Sequence, residues 1–158
     1  PPQEACDGAA VIVLPTPFAA AKELVESIGD FGGRILVDAT NPLNAELSGL
    51  VVSGDTSAGE EIQKWAPTAR VVKAFNTTGS GNMENAAYES GKPAMFICGN
   101  DADARGTVSE LAASLGFDVH DAGDLTSSRW LEPAAMLWIK LAQHQGLGPA
   151  IAFGVVRR

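Results

Sequence analysis

Three short polar segments each follow an apolar run that is typical of a buried strand. They are residues 15–17, 38–43 and 76–80. Because ligands of an open α/β sheet bind beyond the carboxyl ends of its strands, binding chemistry is expected in these segments. Their hydroxyl and amide side chains can hold a ribose or a carboxamide through hydrogen bonds. The pattern therefore predicts a site for a small molecule.

Each segment also has a purely structural interpretation. Residues 15–17 lead into a helix whose free N–H groups could hold a phosphate or ribose oxygen, and a tight turn is the alternative. Residues 38–43 could grip a ribose, or could form an Asx turn before Pro42. Residues 76–80 place Gly79 where a flat ring could approach closely, or they form a mobile surface loop. Consecutive parallel strands would bring all three segments to one rim, which favours binding.

Motifs for several other chemistries are missing from the sequence. It contains no GxSxG, HExxH or P-loop lysine motif, so hydrolase and phosphotransferase activities lack support. Cys98 lies in an apolar run without a CxxC partner, and we expect a buried structural thiol rather than a nucleophile. His120 and His144 have no carboxylate or cysteine at ligand spacing, so no metal site is predicted. No residue is singled out as catalytic.

Some charged residues stand in apolar surroundings. Lys73 lies inside an apolar run. Reaching outward to solvent is the favoured interpretation of this lysine, and contact with a substrate anion is the alternative. Arg129 and Glu132 are three residues apart at the start of a predicted helix. This spacing favours an (i, i+3) ion pair or a helix cap over contacts with a substrate.

The elements that must position these residues alternate between strands and helices. Strands are predicted at residues 9–14, 34–39, 69–75, 94–98 and 117–121, and helices at residues 17–28, 57–65, 101–115 and 130–145. Thr16 is the expected N-cap of the first helix, and Ser57 with Glu60 forms a capping-box pattern. The alternation predicts an α/β fold with a parallel sheet. The last helix is apolar nearly all round, so it is expected between other elements or in a dimer interface.

Composition limits the partners. The net charge is −8 with only 11 basic residues, so nucleic acid is a poor candidate and small molecules are expected instead. No apolar run approaches the ~20 residues of a membrane-spanning helix. The two cysteines cannot staple a chain of 158 residues, and they suit a reducing cytoplasm, where we expect the protein.

Five short phrases of the chain stand in the order in which a known family has them. They occupy residues 37–43, 71–77, 98–102, 115–117 with 121–123, and 129–132. They resemble the coenzyme F420-dependent NADP oxidoreductases and their bacterial dinucleotide-binding relatives. The resemblance implies a Rossmann-like sheet with a small helical C-terminal part. It also implies NADP as cofactor and hydride transfer between nicotinamide and a deazaflavin (F420) or another flavin-type acceptor.

The same resemblance implies roles for individual residues. The residues implied at the dinucleotide are Leu14, Pro15, Thr16, Pro17, Asn41, Pro42, Asn76 and Thr77. Those implied on the deazaflavin side are Asn76, Thr78, Ser80, Glu132, Ala135 and Ala150. Residues 1–82 would be the second half of a dinucleotide-binding domain. Residues 83–158 would form the substrate side and a dimerisation part, in a homodimer.

The chain departs from the family pattern in two places. No glycine-rich GxGxxG turn precedes the first strand, and Pro133 and Ala135 stand where archaeal members have hydroxyl residues. Two βα units, roughly 60 residues at about 30 per unit, are therefore expected before Pro1. Without them residues 11–14 would form a bare apolar edge. The alternatives are a non-catalytic dinucleotide-fold fragment or dimerisation module, and a ferric or cupric reductase like the metalloreductases of six-transmembrane epithelial antigen type.

Overall fold

A five-stranded sheet forms the centre of the computed structural model, which describes residues 2–158. Its strands, in order across the sheet, are β1 (Val11–Leu14), β2 (Ile35–Asp38), β3 (Arg70–Lys73), β4 (Ala94–Gly99) and β5 (Asp118–Asp121). β1, β2 and β3 are parallel. β4 runs antiparallel to β3, and β5 is parallel to β4. The predicted α/β, Rossmann-like fold is confirmed, with a reversal at β4 that the wholly parallel prediction did not include.

Helices alternate with the strands along the chain. They are α1 (Pro2–Cys6), α2 (Phe18–Ile28), α3 (Ala58–Trp65), α4 (Gly81–Glu84), α5 (Ala102–Ser114) and α6 (Ser128–Ile139). A 3-10 turn (Leu125–Ser127) leads into α6, and a π-helical turn (Lys140–His144) continues it. The last helix therefore starts two residues earlier than predicted and changes its winding near its end. Within residues 2–158, no helix has both the length and the apolarity to cross a membrane.

Local capping explains two helix starts and corrects a third. The Ser57 hydroxyl accepts from the Glu60 N–H and donates to the Glu60 carboxylate, which confirms Ser57 as the N-cap of α3 and its pairing with Glu60. Asp101 caps α5 by accepting from Ala104 N–H. The prediction for Thr16 is wrong, because Pro17 occupies the N-cap position of α2 and makes no side-chain cap bond.

The core lies on both faces of the sheet. On one face Leu36 and Val71 pack with α2 and α3, and on the other Val37 and Val72 pack with α5. Burial on both faces explains why these strands are apolar without alternation. The sheet continues across the predicted boundary at residue 82, and the division into residues 1–82 and 83–158 stays a prediction.

Close packing joins α3 to α6. A Cβ atom on Gly59 would lie 2.6 Å from Ser128 Oγ, so glycine is needed for the two helices to approach this closely. The contact places the start of α6 directly over the start of α3. From there α6 runs towards a small cluster in which Trp138, Ile139 and Ala142 are buried with Ile151 and Phe153 of the tail.

Candidate functional site

The carboxyl ends of β1, β2 and β3 lie side by side and form a polar rim. Leu14 pairs with Asp38 and Asp38 with Lys73, so the three polar segments start from one level of the sheet. A cavity of about 550 Å³ opens at the rim between the segments that follow β1 and β2, and Thr16, Pro17, Thr40 and Asn41 are among its lining residues. The predicted segments after β1 and β2 thus line one cavity, where the strand-end rule places a ligand site.

A second cavity, of about 470 Å³, lies where the segment after β3 meets the π-helical turn and the tail. Its lining residues are Gly79, Ser80, Gly81, Asn82, Trp138, Gln143, Pro149 and Ala150. Asn82 holds its wall together by donating to Thr78 Oγ1 and to the carbonyls of Pro149 and Ile151. A Cβ atom on Gly79 would lie 2.8 Å from the Trp138 ring, so the close approach that this glycine permits is to a tryptophan of the chain itself.

Four oxygens at the ends of β1, β2 and β3 are buried and have no hydrogen-bond partner among the described residues. They are Thr16 Oγ1, Thr40 Oγ1, Asn76 Oδ1 and Thr77 Oγ1. Buried polar atoms in folded proteins are nearly always paired, so four such atoms at three neighbouring strand ends require an explanation. A ligand with its own hydroxyl and amide groups would satisfy them.

Two asparagines clasp the ends of β2 and β3. Asn41 Nδ2 donates to the Asn76 carbonyl at 2.8 Å, and Asn76 Nδ2 donates to Asn41 Oδ1 and to the Leu131 carbonyl at 3.1 Å each. The Asn41 side chain is used in this clasp rather than in an Asx turn. Asn76 thereby joins the rim to α6.

A left-handed residue turns the chain into this clasp. Phe75 has a φ of 63°, a conformation that costs a non-glycine residue roughly 1–2 kcal/mol. Its N–H donates to Met95 Sδ at 3.2 Å. Such strain persists only where the surroundings hold it, and it is concentrated at functional sites. Here Asn76, the next residue, lies within hydrogen-bonding distance of Asn41.

A buried group of charges lies directly behind the rim, and it overturns the favoured interpretation of Lys73. This lysine is 0% exposed, so it does not reach solvent. Its Nζ contacts Asp38 Oδ2 at 2.8 Å, the Thr40 carbonyl at 2.8 Å and Glu132 Oε1 at 2.9 Å. Burial by itself lowers the pKa of Lys73, but the two carboxylates outweigh burial and raise that pKa above its ordinary value.

The expected pairing of Arg129 with Glu132 is also wrong. Arg129 binds the carboxylate of Glu60 on α3 through two nitrogens, at 2.8 and 2.6 Å. This contact lowers the pKa of Glu60 and raises that of Arg129. Glu132 points inward instead, where its carboxylate contacts Lys73 Nζ and accepts from the N–H groups of Ala58 and Gly59.

The predicted site residues divide by location. Around the rim stand Leu14, Pro15, Thr16, Pro17, Asn41, Pro42, Asn76 and Thr77. Thr78, Ser80 and Ala150 belong to the second cavity. Glu132 and Ala135 are both 1% exposed and lie behind these surfaces. Asp38 and Thr40 lie in the predicted segment 38–43, but the pairing of Asp38 with Lys73 was not predicted, although opposite charges at the ends of two apolar strands are a signal of it.

The thiol of Cys98 behaves as predicted. It is buried, and its Sγ lies 3.3 Å from Ser128 Oγ. Burial raises its pKa to about 11, so the nucleophilic thiolate is scarce at neutral pH.

Comparisons with known proteins give relatives of two kinds. No protein-family model matches the chain. Over 100 residues it is 36% identical to the metalloreductase STEAP3 of Rattus norvegicus, and the match covers 63% of this chain and 20% of that protein. The chain thus spans about a fifth of the length of the curated relatives that it matches.

Solved structures match nearly the whole chain. A protein of Arthrobacter sp. FB24, provisionally designated an F420-dependent NADP-reductase, superimposes with a TM-score of 0.91 at 33% identity, over 99% of this chain and 73% of that one. A hypothetical protein of Sinorhizobium meliloti superimposes with a TM-score of 0.74 at 28% identity, over 99% of this chain and 71% of that one. The five-stranded fold is therefore shared with the Arthrobacter protein over nearly all of this chain.

Proposed function

Because this chain belongs to the F420-dependent NADP-reductase family, we propose that it acts as an NADPH-dependent oxidoreductase. The reaction would be hydride transfer between nicotinamide and a deazaflavin, F420, or another flavin-type acceptor. The observation that supports this most directly is the set of four unpartnered oxygens at the rim of β1, β2 and β3. Nicotinamide, when bound, supplies the hydride. The protein therefore needs to position the two reacting rings and exclude water from them, rather than to donate a proton.

The donor types at the rim fit a dinucleotide. The hydroxyls of Thr16, Thr40 and Thr77 can both donate and accept, as ribose hydroxyls do, and the free Asn76 Oδ1 can accept from a carboxamide N–H. The N-terminus of α2 adds backbone N–H groups beside Pro17, and these favour an anionic or polar oxygen. We assign the dinucleotide to this rim, with Leu14, Pro15, Asn41 and Pro42 completing it.

The acceptor is assigned to the second cavity. Thr78, Ser80 and Ala150 line or brace it, and Asn76 stands between it and the rim. Glu132 has both carboxylate oxygens engaged inside the protein. Glu132 and Ala135 are therefore proposed to act by fixing α6. Residues 83–158 are proposed to supply the acceptor side of the site together with residues 79–82.

A ferric or cupric reductase is the second candidate. The 36% identity to a rat metalloreductase over 100 residues favours it. Both candidates use NADPH and differ in the acceptor, so one assay separates them. NADPH oxidation is followed with F420 and, separately, with chelated ferric iron; turnover with iron and none with F420 would replace the deazaflavin by a metal.

Binding is tested first by thermal unfolding with NADPH, NADH and F420. A ligand at 100 times its dissociation constant raises the free energy of unfolding of the protein by about 2.7 kcal/mol. This corresponds to a rise in Tm of about 5–10 °C, at roughly 2–4 °C per kcal/mol. Asn76→Ala is expected to reduce the shift given by NADPH. Asn85→Ala, a change of an exposed asparagine outside both cavities, is the matched control. No stabilisation of the unaltered protein by either dinucleotide would reject the proposal and favour a non-catalytic module.

We also propose a homodimer that uses the outer face of α6. Trp130 is 76% exposed and Leu137 is 51% exposed, and they stand two helical turns apart on one face. Light scattering should give twice the monomer mass, and Trp130→Ser should shift the mass towards the monomer. A monomeric mass for the unaltered protein would contradict the dimer. The cytoplasmic location stays a prediction.

A further inference from the structure

Three ionisable side chains meet behind the rim in a site without solvent. Lys73 and Asp38 have side chains that are 0% exposed, and Glu132 one that is 1% exposed. The three protons of the Lys73 ammonium are all used, on Asp38, Glu132 and the Thr40 carbonyl. We call these three side chains the charge cluster. Buried charges are tolerated only when paired and hydrogen-bonded in this way.

The second carboxylate of the charge cluster is balanced by a helix. Glu132 accepts from the N–H groups of Ala58 and Gly59, at 3.0 Å each. These are the first residues of α3, where free N–H groups and the positive end of the helix dipole favour an anion. Lys73 and the start of α3 together offset two negative charges. Because all three N–H groups of the Lys73 ammonium contact Asp38, Thr40 and Glu132, none is free to donate to a ligand.

The charge cluster holds the backbone of one rim residue from both sides. Thr40 N–H donates to Asp38 Oδ1 at 2.8 Å, and its carbonyl accepts from Lys73 at 2.8 Å. Its hydroxyl is one of the four unpartnered oxygens. The orientation of that hydroxyl therefore depends on Lys73 and Asp38.

The same cluster fixes α6 to the rim. Glu132 of α6 binds Lys73 at the end of β3, and the neighbouring Leu131 carbonyl accepts from Asn76. Further along, α6 carries Trp138, which lines the second cavity. Lys73 thus contacts both Thr40 at the dinucleotide rim and Glu132 in the helix that carries a wall of the acceptor cavity.

From these contacts we infer that Lys73 is a positioning residue for hydride transfer. Through Thr40 and Glu132 it sets the separation between the rim and the acceptor cavity, while touching neither ligand. This inference rests on the proposed function. Misplacement of reacting groups by about 1 Å can cost about 10²-fold in rate, so a loss of position should appear in kcat rather than in binding.

The test removes the charges without leaving any of them unpaired. In the variant D38N/K73M/E132Q all three side chains keep their approximate size and become neutral, a replacement that proteins often tolerate. We expect a fall in kcat of about 10²-fold, with the KM for NADPH changed by less than about threefold. The matched control is E60Q/R129M, which removes the other ion pair between α3 and α6 and leaves the rim contacts intact. It should keep kcat within about threefold.

A second measurement does not depend on activity. Amide hydrogen exchange at Thr40, Ala58 and Gly59 should speed up about tenfold or more in the neutral variant, and should stay as in the unaltered protein in the control. If the protein fails to bind NADPH, the proposed function falls, and exchange at these three amides still decides whether the cluster positions the rim.

Two results would overturn the inference. One is a folded neutral variant with unchanged kcat and unchanged exchange at Thr40. The other is equal loss of kcat in the neutral variant and in the control, which would show a general effect of loosening α6. Should the neutral variant not fold, Glu132→Gln alone keeps the ion pair of Lys73 with Asp38 and is expected to lower kcat about tenfold with the same small change in KM. Unchanged kcat in that variant would equally overturn it.

Discussion

The two ends of the three parallel strands treat their polar groups differently. At the amino ends, Arg34 donates to the carbonyls of Phe31, Cys6 and Asp30, and Thr68 Oγ1 accepts from Phe31 N–H. At the carboxyl ends, four buried oxygens have no partner among the described residues. The amino end completes its hydrogen bonds internally, and at the carboxyl end we propose that a ligand completes them.

The charges differ between the two ends in the same sense. At the amino ends, the ion pair of Arg70 with Asp101 is 40% exposed on each side chain. At the carboxyl ends, Lys73 and its two carboxylates are sealed from water. Exposed ion pairs contribute little to the free energy of unfolding, so losing one has a small effect. Removing one partner of a buried pair is strongly destabilising, because it leaves an unpaired charge inside the protein. The buried and fully paired charges therefore stand at the same end of the sheet as the four unpartnered oxygens.

The largest effect expected at the carboxyl end is that of Lys73→Met alone. It leaves Asp38 and Glu132 as two buried carboxylates without their shared cation, and it should lower the free energy of unfolding by about 3–5 kcal/mol. At the amino end, Arg34→Met removes bonds from a half-buried cation and should cost about 1.5–3 kcal/mol. Urea unfolding measures both. Equal losses of unfolding free energy in the two variants would contradict the difference between the two ends.

Alkaline pH should affect the carboxyl end next most strongly. Burial raises the pKa of Cys98, which lies close to Lys73 and Asp38, from 9.0 to about 11. A group with a raised folded pKa stabilises fully below its unfolded pKa, and that stabilisation is lost as the pH rises through the folded value. The free energy of unfolding should therefore fall by about 2–3 kcal/mol between pH 9 and 11. The raised pKa of Lys73 extends the fall above its ordinary value of 10.5.

Cys98→Ala tests that assignment. It removes the titrating thiol and should flatten the profile between pH 9 and 11, although it lowers stability at neutral pH by leaving a small cavity. The measurement is urea unfolding at a series of pH values. A profile as steep in Cys98→Ala as in the unaltered protein would place the alkaline sensitivity elsewhere.

Local patterns were enough to predict most elements and the position of the rim. The cap that Ser57 and Glu60 form at the start of α3 involves only neighbours, and the double-sided burial of β2 and β3 is visible as unbroken apolar runs. The strand-end rule then indicated this rim as the candidate site, and its role in binding stays a prediction. The chain reversal at β4 has no such signal, because strand direction depends on how the loop crosses the sheet.

The sequence-based expectations were wrong where residues distant in the chain determine the surroundings of a side chain. Lys73 meets Glu132, which lies in a different element far along the chain, so its burial could not be derived from its neighbours. Thr16 followed by Pro17 fits the start of a helix, yet α2 begins one residue later and leaves the Thr16 hydroxyl at the rim. Local rules tend to fail at functional sites because those sites satisfy a ligand as well as the fold.

The smallest effect expected is also the most specific, and it compares two threonine hydroxyls. Thr68→Val at the amino end removes the acceptor of the Phe31 N–H and should cost about 1 kcal/mol in urea unfolding, with no effect on dinucleotide binding. Thr40→Val at the carboxyl end removes a hydroxyl that has no partner among the described residues, so stability should stay level or rise by up to about 1 kcal/mol. Since that hydroxyl is assigned to the ligand, NADPH should bind about tenfold more weakly by titration calorimetry, which corresponds to about 1.4 kcal/mol. A Thr40→Val protein that loses stability and keeps its affinity would mean that this oxygen serves the fold, and the two ends of the sheet would then be built alike.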